Sequence, residues 1–343
     1  MELELETHWQ ARLSDLCTQL RSAARVAIEQ ALAENRLEDL ARPLREGAGD
    51  VTFALDQCTE DVLTRWLDET AQRLNISLLT EDEGWRHRGP GAHGRVRDLP
   101  DFDHGGPRIA IDPIDGTRHL MADMRSAWSI ISFAPPGAGQ PRMSELTLGL
   151  VSEIPDSRAA RWRELAAIRG RGAFFVERAL EAETLYSKRR LSTGVDDRAD
   201  QGYFSFFRYL PAQRPALATI EARFFERLAR LERADVRSCY DDQYISSGGQ
   251  LALLSLGIYR MGCDLRGYLG ARRSEIPSIA THPYDLAGAV LVAREAGASV
   301  DAIDGKPLDF PIDCTTPVSF VGWTNAATKQ RLEPHFHASL VDA

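Results

Sequence analysis

The spacing of apolar side chains along the chain predicts alternating helices and strands. Apolar residues recur every three or four positions, as on one face of a helix, over residues 8–34, 60–74, 215–233, 248–260 and 283–295. Short continuous apolar runs predict buried strands at residues 76–80, 109–111, 127–134, 145–154 and 202–208. The helix over 283–295 is expected to end at Gly297, since glycine commonly follows the last helical turn.

Two segments show neither the helical spacing of apolar residues nor an apolar run typical of a buried strand. Residues 84–107 are rich in Gly, Pro, Arg and His, which predicts a long loop. The polar segment 181–200 is the predicted joint between an N-terminal α+β domain at residues 1–185 and a C-terminal α/β domain at residues 186–343. Because helices and strands alternate in both halves, the pattern indicates a layered protein of the α/β or α+β class.

Composition narrows the kinds of partner. The chain has 343 residues, 43% of them hydrophobic and 27% charged, as in soluble globular proteins. A formal net charge of −9 argues against nucleic acid as a partner. Five scattered cysteines indicate neither a disulfide framework nor a zinc site. The acidic N-terminus does not resemble a signal peptide, and no apolar run is long enough for a bilayer. We therefore expect a cytoplasmic protein without a membrane partner.

The segment RIAIDPIDGTRHL at residues 108–120 places Asp112 and Asp115 directly after an apolar strand. Two neighbouring buried carboxylates repel each other, so this arrangement indicates that a cation is bound there. Glu81 ends the preceding strand, and Asp285 lies in the first turn of the helix over 283–295. Taken singly, Asp285 is also explained as a helix-capping acid and Glu81 as part of a solvated loop.

If these four acids meet in space, they form an all-oxygen site of the kind that suits Mg²⁺ or Mn²⁺ rather than zinc. Asp112 could then bridge two ions, and the carbonyl of Ile114 could be a further ligand. Gly116 and Thr117 follow at once, and free backbone N–H groups at such a turn can receive a phosphate. The Thr117 hydroxyl could orient an attacking water if an acceptor such as Asp56 lies behind it.

At this point the sequence resembles the inositol monophosphatase family, which belongs to the Mg²⁺-dependent, lithium-sensitive phosphatases. Residues 112–117 (DPIDGT) resemble its first signature, and residues 79–82 resemble a short acidic step that precedes it. Residues 284–288 (YDLAG), continuing to Gly297, resemble its second signature. The three motifs occur in the family's order and spacing, and the resemblance spans residues 50–307.

The resemblance implies a layered αβαβα sandwich, usually a homodimer, that binds two or three Mg²⁺ ions, for which Mn²⁺ can substitute. The implied metal ligands are Glu81, Asp112, the Ile114 carbonyl, Asp115 and Asp285. The implied catalytic residues are Thr117 and Asp56, which activate a water with help from Glu81. Gly116 and Thr117 match the amides that bind the phosphate.

Several positions depart from the family's pattern and leave the substrate open. Arg45 stands where a loop lysine is common, Tyr284 replaces a tryptophan, and Asp82 replaces a glutamate. His119 and the pair Arg272-Arg273 are candidate substrate contacts, the pair for a second phosphate. A satisfied histidine and a solvated charged loop are the competing interpretations.

The sequence therefore predicts a Mg²⁺-dependent phosphomonoesterase that acts on a small polyol or sugar phosphate. Two alternatives within the superfamily are a fructose-1,6-bisphosphatase and a 3′-phosphoadenosine phosphatase. A third alternative, of a different class, is a non-catalytic family member that binds phosphorylated ligands.

Overall fold

The computed structural model describes residues 2–46, 51–81, 83–182, 184–231, 235–272 and 279–341. The helices are α1 (Glu2–Ala33), α2 (Leu37–Leu40), α3 (Ala54–Ala71), α4 (Thr117–Leu120), α5 (Arg214–Leu231), α6 (Ser247–Ser255), α7 (Arg266–Arg272), α8 (Pro283–Ala296) and α9 (Ala326–Ser339). The strands are β1 (Pro43–Glu46), β2 (Val51–Phe53), β3 (Ile76–Thr80), β4 (Gly84–Pro90), β5 (Val96–Asp98), β6 (Arg108–Asp115), β7 (Ala127–Ala134), β8 (Leu148–Ile154), β9 (Arg161–Ile168), β10 (Gly172–Ala179), β11 (Leu185–Arg190), β12 (Tyr203–Phe206), β13 (Tyr240–Asp241), β14 (Tyr259–Asp264), β15 (Ser299–Ala302) and β16 (Phe320–Trp323). None of the helices in these ranges is both long and apolar enough to cross a membrane.

Nine strands of the described residues form the larger sheet, in the order β11-β10-β9-β8-β7-β6-β3-β4-β5. Among these strands as described, β3 and β6 are the one pair that runs parallel, with Leu78 opposite Ile109. Alternate residues of β6 face opposite sides, as the pleat requires. Ile109 and Ile111 pack in the apolar cluster under α1 and α3, whereas Ala110 packs in the cluster under α8. Helices therefore cover both faces of this sheet.

A smaller sheet, in the order β13-β12-β14-β16-β15, lies on the far side of α6 and α8. Its outer face is covered by α5 and α9 through a separate apolar cluster that includes Phe224, Trp323 and Phe336. The layers are α1 and α3, the nine-stranded sheet, α6 and α8, the five-stranded sheet, and α5 and α9. The expected layered αβαβα sandwich is confirmed.

The helix α8 approaches the larger sheet backbone to backbone, and this contact places Asp285. A Cβ atom on Gly288 would lie 2.1 Å from the carbonyl oxygen of Ile131, and one on Gly149 would lie 2.4 Å from that of Gly288. Only glycine permits such an approach. Asp285, one turn earlier, is thereby held at the end of the sheet where β6 finishes. The helix ends at Gly297 with φ of 104°, as predicted.

The long loop predicted for residues 84–107 is wrong, because β4 and β5 form a hairpin on the edge of the larger sheet. The hairpin is fastened by Trp85, whose Nε1–H donates to the Ile312 carbonyl at 3.0 Å. A polar contact also joins it to β3: the Ser77 hydroxyl lies 2.8 Å from Nδ1 of His87 and 2.7 Å from Nε2 of His104. Because polar residues occupy inward positions of these strands, apolar and polar residues do not alternate along them. The sequence pattern therefore did not predict the strands.

Two further boundaries differ from the prediction. The helix predicted over 248–260 stops at Ser255, because Gly257 adopts φ of 72° and the chain turns into β14. The segment 181–200 contains β11, the opposite edge of the larger sheet. The two sheets divide the chain between Arg190 and Tyr203, near the predicted joint, but α8 returns to the larger sheet. The division into two domains stays a prediction.

Candidate active site

The two aspartates of β6 reach the same cavity because a β-bulge separates them. Asp112 pairs with Ile130 and Asp115 with Trp128, so two residues of β6 lie opposite the single Ser129 of β7. In a regular strand, residues three apart face opposite sides; the extra residue brings the second side chain round to the first. The Ser129 hydroxyl fixes the bulge by donating to the Pro113 carbonyl at 2.8 Å.

Carboxylates from several elements line this cavity, which has a volume of about 120 Å³. They are Glu81 directly after β3, Asp112 and Asp115 of β6, Asp285 of α8, and Asp56 and Glu60 of α3. The structure thus brings together the four acids singled out in the sequence. The other expected site residues lie in the same lining: Asp56, Ile114, Gly116 and Thr117.

The proximity of these acids perturbs their ionisation. Burial, and next the charges of Asp115 and Asp285, raise the pKa of Asp112 well above its usual range. Burial raises the pKa of Asp115 to about 6. Burial and the charge of Asp115 raise the pKa of Asp285 well above its usual range. Without a cation, ionising the cluster is therefore costly.

Local donors hold the carboxylate oxygens. Oδ1 of Asp112 accepts the N–H of Ile114 at 2.9 Å, and Oδ1 of Asp285 accepts the Thr281 hydroxyl at 2.6 Å. Within the described ranges, no three His, Cys, Asp or Glu side chains already stand arranged around one ion position. The donor set nevertheless fits a hard divalent cation, because all its members are oxygens and burial raises the pKa values of Asp112, Asp115 and Asp285.

Thr117 and Asp56 form a hydrogen-bonded pair beside the carboxylates. Oγ1 of Thr117 lies 3.0 Å from Oδ1 of Asp56 and 2.8 Å from the Ile114 carbonyl, so its single proton is directed to one of two acceptors. Asp56 is itself fixed, since Oδ2 accepts the N–H of Phe53 at 2.8 Å in the first turn of α3. The preceding Gly116 adopts φ of 102°, in the left-handed region that favours glycine.

Sequence reasoning missed the residues that hold Asp115. Oδ2 of Asp115 accepts the Ser246 hydroxyl at 2.8 Å and the N–H of Gly248 at 2.6 Å, at the start of α6. A Cβ on Gly248 would lie 2.8 Å from that same oxygen and 2.5 Å from Cδ1 of Ile130. The Ser-Ser-Gly-Gly run at 246–249 was a usable signal, because serine caps helices and paired glycines permit close approach.

Arg266 was also missed, although it lines the cavity. Its guanidinium is buried and paired with the fully buried Asp264, with Nη2 2.7 Å from Oδ2. The positive charge of Arg266 is near enough to lower the pKa values of Asp285 and Asp115 against the effect of burial.

His119 and Arg272, the two predicted substrate contacts, are not among the residues that line the cavity. The His119 ring lies nearly parallel to that of Tyr244, with centroids 6.0 Å apart. Arg272 is exposed on α7, and its guanidinium lies 3.7 Å from the centre of the Tyr268 ring, beside a separate surface groove. Arg273 and Asp82 lie outside the described residues, as does the side chain of Arg45.

Sequence comparison alone gives little support for a function. No protein-family model matches the chain. The chain is 29% identical over 218 residues to the methionine import ATP-binding protein MetN of Rhizobium johnstonii, a match that covers 61% of this chain and 52% of that protein. The chain thus spans about half the length of this curated relative. It also lacks the G-x-x-x-x-G-K-S/T motif of phosphate-binding loops in ATPases.

Solved structures match over nearly the whole length. Inositol monophosphatase II of Staphylococcus aureus has a TM-score of 0.56 at 17% identity, covering 97% of this chain and 96% of that one. An IMPase of Thermotoga maritima has a TM-score of 0.58 at 16% identity, covering 96% and 98%. The extragenic suppressor protein SuhB of Bartonella henselae has a TM-score of 0.59 at 16% identity, covering 95% and 98%. The chain therefore has the fold of the inositol monophosphatases.

Proposed function

We propose that the chain is a divalent-cation-dependent phosphomonoesterase of the inositol monophosphatase family, acting on a small polyol or sugar phosphate. One observation carries the proposal: four carboxylates with mutually unfavourable charges surround a cavity next to a hydrogen-bonded threonine and aspartate. A fold of this kind hosts more than one activity, so the function is inferred from the site rather than from the fold.

The carboxylates Glu81, Asp112, Asp115 and Asp285, with the Ile114 carbonyl, would hold Mg²⁺, and two or three ions would be expected. When bound, such ions lower the pKa of a water ligand and stabilise charge on the phosphoryl and leaving-group oxygens. Neutralising the cluster in this way would also offset the repulsion that, together with burial, raises the pKa values of Asp112 and Asp285.

The chain's own residues orient the nucleophile. When Oγ1 of Thr117 donates its proton to Oδ1 of Asp56, its lone pairs are free to accept a proton from a water in the cavity. Asp56 would then receive a proton through the threonine, and Glu81 at the cavity rim would assist. The backbone N–H groups of Gly116 and Thr117 would bind phosphoryl oxygens as these gain charge.

The test is phosphate release from a panel of esters at fixed Mg²⁺, with and without EDTA. The panel consists of inositol 1-phosphate, fructose 1,6-bisphosphate, histidinol phosphate and 3′-phosphoadenosine 5′-phosphate. Asp112→Asn should lower kcat by at least about 1000-fold, since removing a single charge-stabilising donor alone costs roughly 100- to 1000-fold. Asp304→Asn, an exposed acid paired with Lys306, is the control and should keep full activity.

The outcomes separate the alternatives. Preference for the bisphosphate or the nucleotide would move the assignment to one of those activities. Inactivity toward every ester, with Mg²⁺ binding retained, would favour the non-catalytic phospho-ligand-binding protein. Full activity of Asp112→Asn would contradict the proposed site.

A further inference from the structure

The wall that extends the cavity beyond the carboxylates is built around a buried arginine. Arg266 is only 8% exposed, yet it lines the cavity together with Phe207 and Tyr209. Its guanidinium carbon lies 4.2 Å from the centre of the Phe207 ring and 5.3 Å from that of Tyr209. Aromatic rings pack against the flat faces of a guanidinium, so that its hydrogen bonds are made in its plane.

Two of the three nitrogens of that plane are already used. Nε and Nη2 donate to the Asp264 carboxylate at distances from 2.7 to 3.1 Å, and Nη2 also lies 3.3 Å from the Ser247 hydroxyl. Nη1 makes no hydrogen bond to any residue of the described ranges. A rigidly held donor therefore remains at the cavity.

We propose that Arg266 determines substrate specificity by donating through Nη1 to a second acidic group of the substrate, a carboxylate or another phosphate. This inference rests on the proposed phosphomonoesterase function, and it refines the substrate class from polyol phosphates to phosphomonoesters that carry a further anionic group.

The chemistry of the wall supports an anion. A guanidinium only donates, so the group that meets it must accept, and hydrogen bonds between charged partners are roughly twice as strong as neutral ones. A buried ion pair such as Arg266–Asp264 can often be replaced by apolar residues without loss of stability. A buried pair in the cavity lining that leaves one guanidinium nitrogen unused among the described residues is therefore better explained by a ligand than by folding.

Asp264 acts as a positioning residue in this arrangement. Its two oxygens hold the guanidinium, and Oδ1 also accepts the backbone N–H of Arg266 at 3.0 Å. The same arginine contacts Ser247, whose neighbours Ser246 and Gly248 hold Asp115. The second anion would thus bind beside the segment that holds Asp115.

The experiment compares two esters that differ in a single group, sn-glycerol 3-phosphate and 3-phosphoglycerate, in which a carboxylate replaces the terminal hydroxymethyl group. We expect kcat/KM for 3-phosphoglycerate to exceed that for glycerol phosphate by about 10- to 100-fold, the effect of one hydrogen bond to a charged group. The double variant Asp264→Asn/Arg266→Gln removes both charges together, which avoids an unpaired buried ion. In this variant the ratio should fall to within about threefold of one.

Arg272→Gln is the matched control, because Arg272 is exposed and lies outside the cavity; its ratio should equal that of the wild type. A wild-type ratio near one, or an equal loss for both esters in the double variant, would overturn the role of Arg266. If the wild type hydrolyses neither ester, the panel of four esters decides separately whether the proposed function fails. In that case the dissociation constants of the two esters in Mg²⁺ are compared by calorimetry. Equal affinities would overturn the inference.

Discussion

Replacing Asp115 by asparagine should stabilise the metal-free protein while abolishing its response to Mg²⁺. Burial raises the pKa of Asp115 from 3.8 to about 6, so the folded state resists its ionisation. Each tenfold change in a dissociation constant corresponds to about 1.4 kcal/mol, which gives a cost of about 3 kcal/mol at pH 8. The hydrogen bonds that Ser246 and Gly248 donate to this side chain both reach the single oxygen Oδ2. The amide oxygen of asparagine can accept both.

The sign of the effect depends on pH. A carboxyl whose pKa is raised by folding binds its proton more tightly in the folded state, so its unfavourable contribution is absent below pH 3.8 and complete above about pH 6. The gain in unfolding free energy should therefore be up to about 3 kcal/mol at pH 8 and about 0.5 kcal/mol at pH 4. Urea unfolding in EDTA, followed by tryptophan fluorescence, measures both values.

Mg²⁺ should reverse the order of stability. The wild type should gain about 2.7 kcal/mol at a cation concentration 100 times the dissociation constant, whereas Asp115→Asn should gain far less. Asp264→Asn is the matched control, because this acid is fully buried but paired with Arg266; breaking that pair should destabilise by about 3–5 kcal/mol. An Asp115→Asn protein that is less stable than the wild type at pH 8, or whose gain does not change with pH, would refute the reasoning.

Three further predictions concern other parts of the account. Thr117→Val should lower kcat by about 100-fold or more with little change in the Mg²⁺ concentration for half-maximal activity, because it removes the proton path from water to Asp56; steady-state kinetics measure both. Gly288→Ala should lower the free energy of unfolding by about 1–3 kcal/mol or more, since its Cβ would lie 2.1 Å from the Ile131 carbonyl oxygen; unchanged urea unfolding would contradict the close packing. Burial lowers the pKa values of His87 and His104, so the β4–β5 hairpin should lose stability as the pH falls below 6.5. Amide hydrogen exchange of residues 84–98, expressed as protection factors relative to the intrinsic rates, measures this loss of stability. Protection factors that do not change with pH would contradict it.

Most of the architecture follows from apolar spacing. The strand over residues 76–80 and the helix that ends at Gly297 are found as predicted, because both depend on continuous buried faces that leave a clear period. The four carboxylates were also recognisable, since acids directly after a buried strand have few structural uses. The signal that predicted the site was therefore local in sequence, because each acid lies at an end of a predicted strand or helix.

What the sequence could not provide depends on contacts between distant segments. The β4–β5 hairpin has polar inward residues, and its register is set by partners such as the Ile312 carbonyl, far along the chain. Arg266 enters the cavity only because β14 and α6 meet there, whereas the equally basic Arg272 does not. Residue type suggested an arginine for a second anion, but only the packing of the second sheet shows which one reaches the cavity.

The most direct test of the account is crystallographic. Crystals soaked with Mn²⁺ and inorganic phosphate, measured at the manganese absorption edge, should show anomalous peaks within ligand distance of Asp112, Asp115, Asp285 and Glu81, with phosphate beside the amides of Gly116 and Thr117. Anomalous peaks only elsewhere on the protein, or none at a concentration that supports hydrolysis, would contradict the central claim that these carboxylates hold the cations at the reacting phosphate.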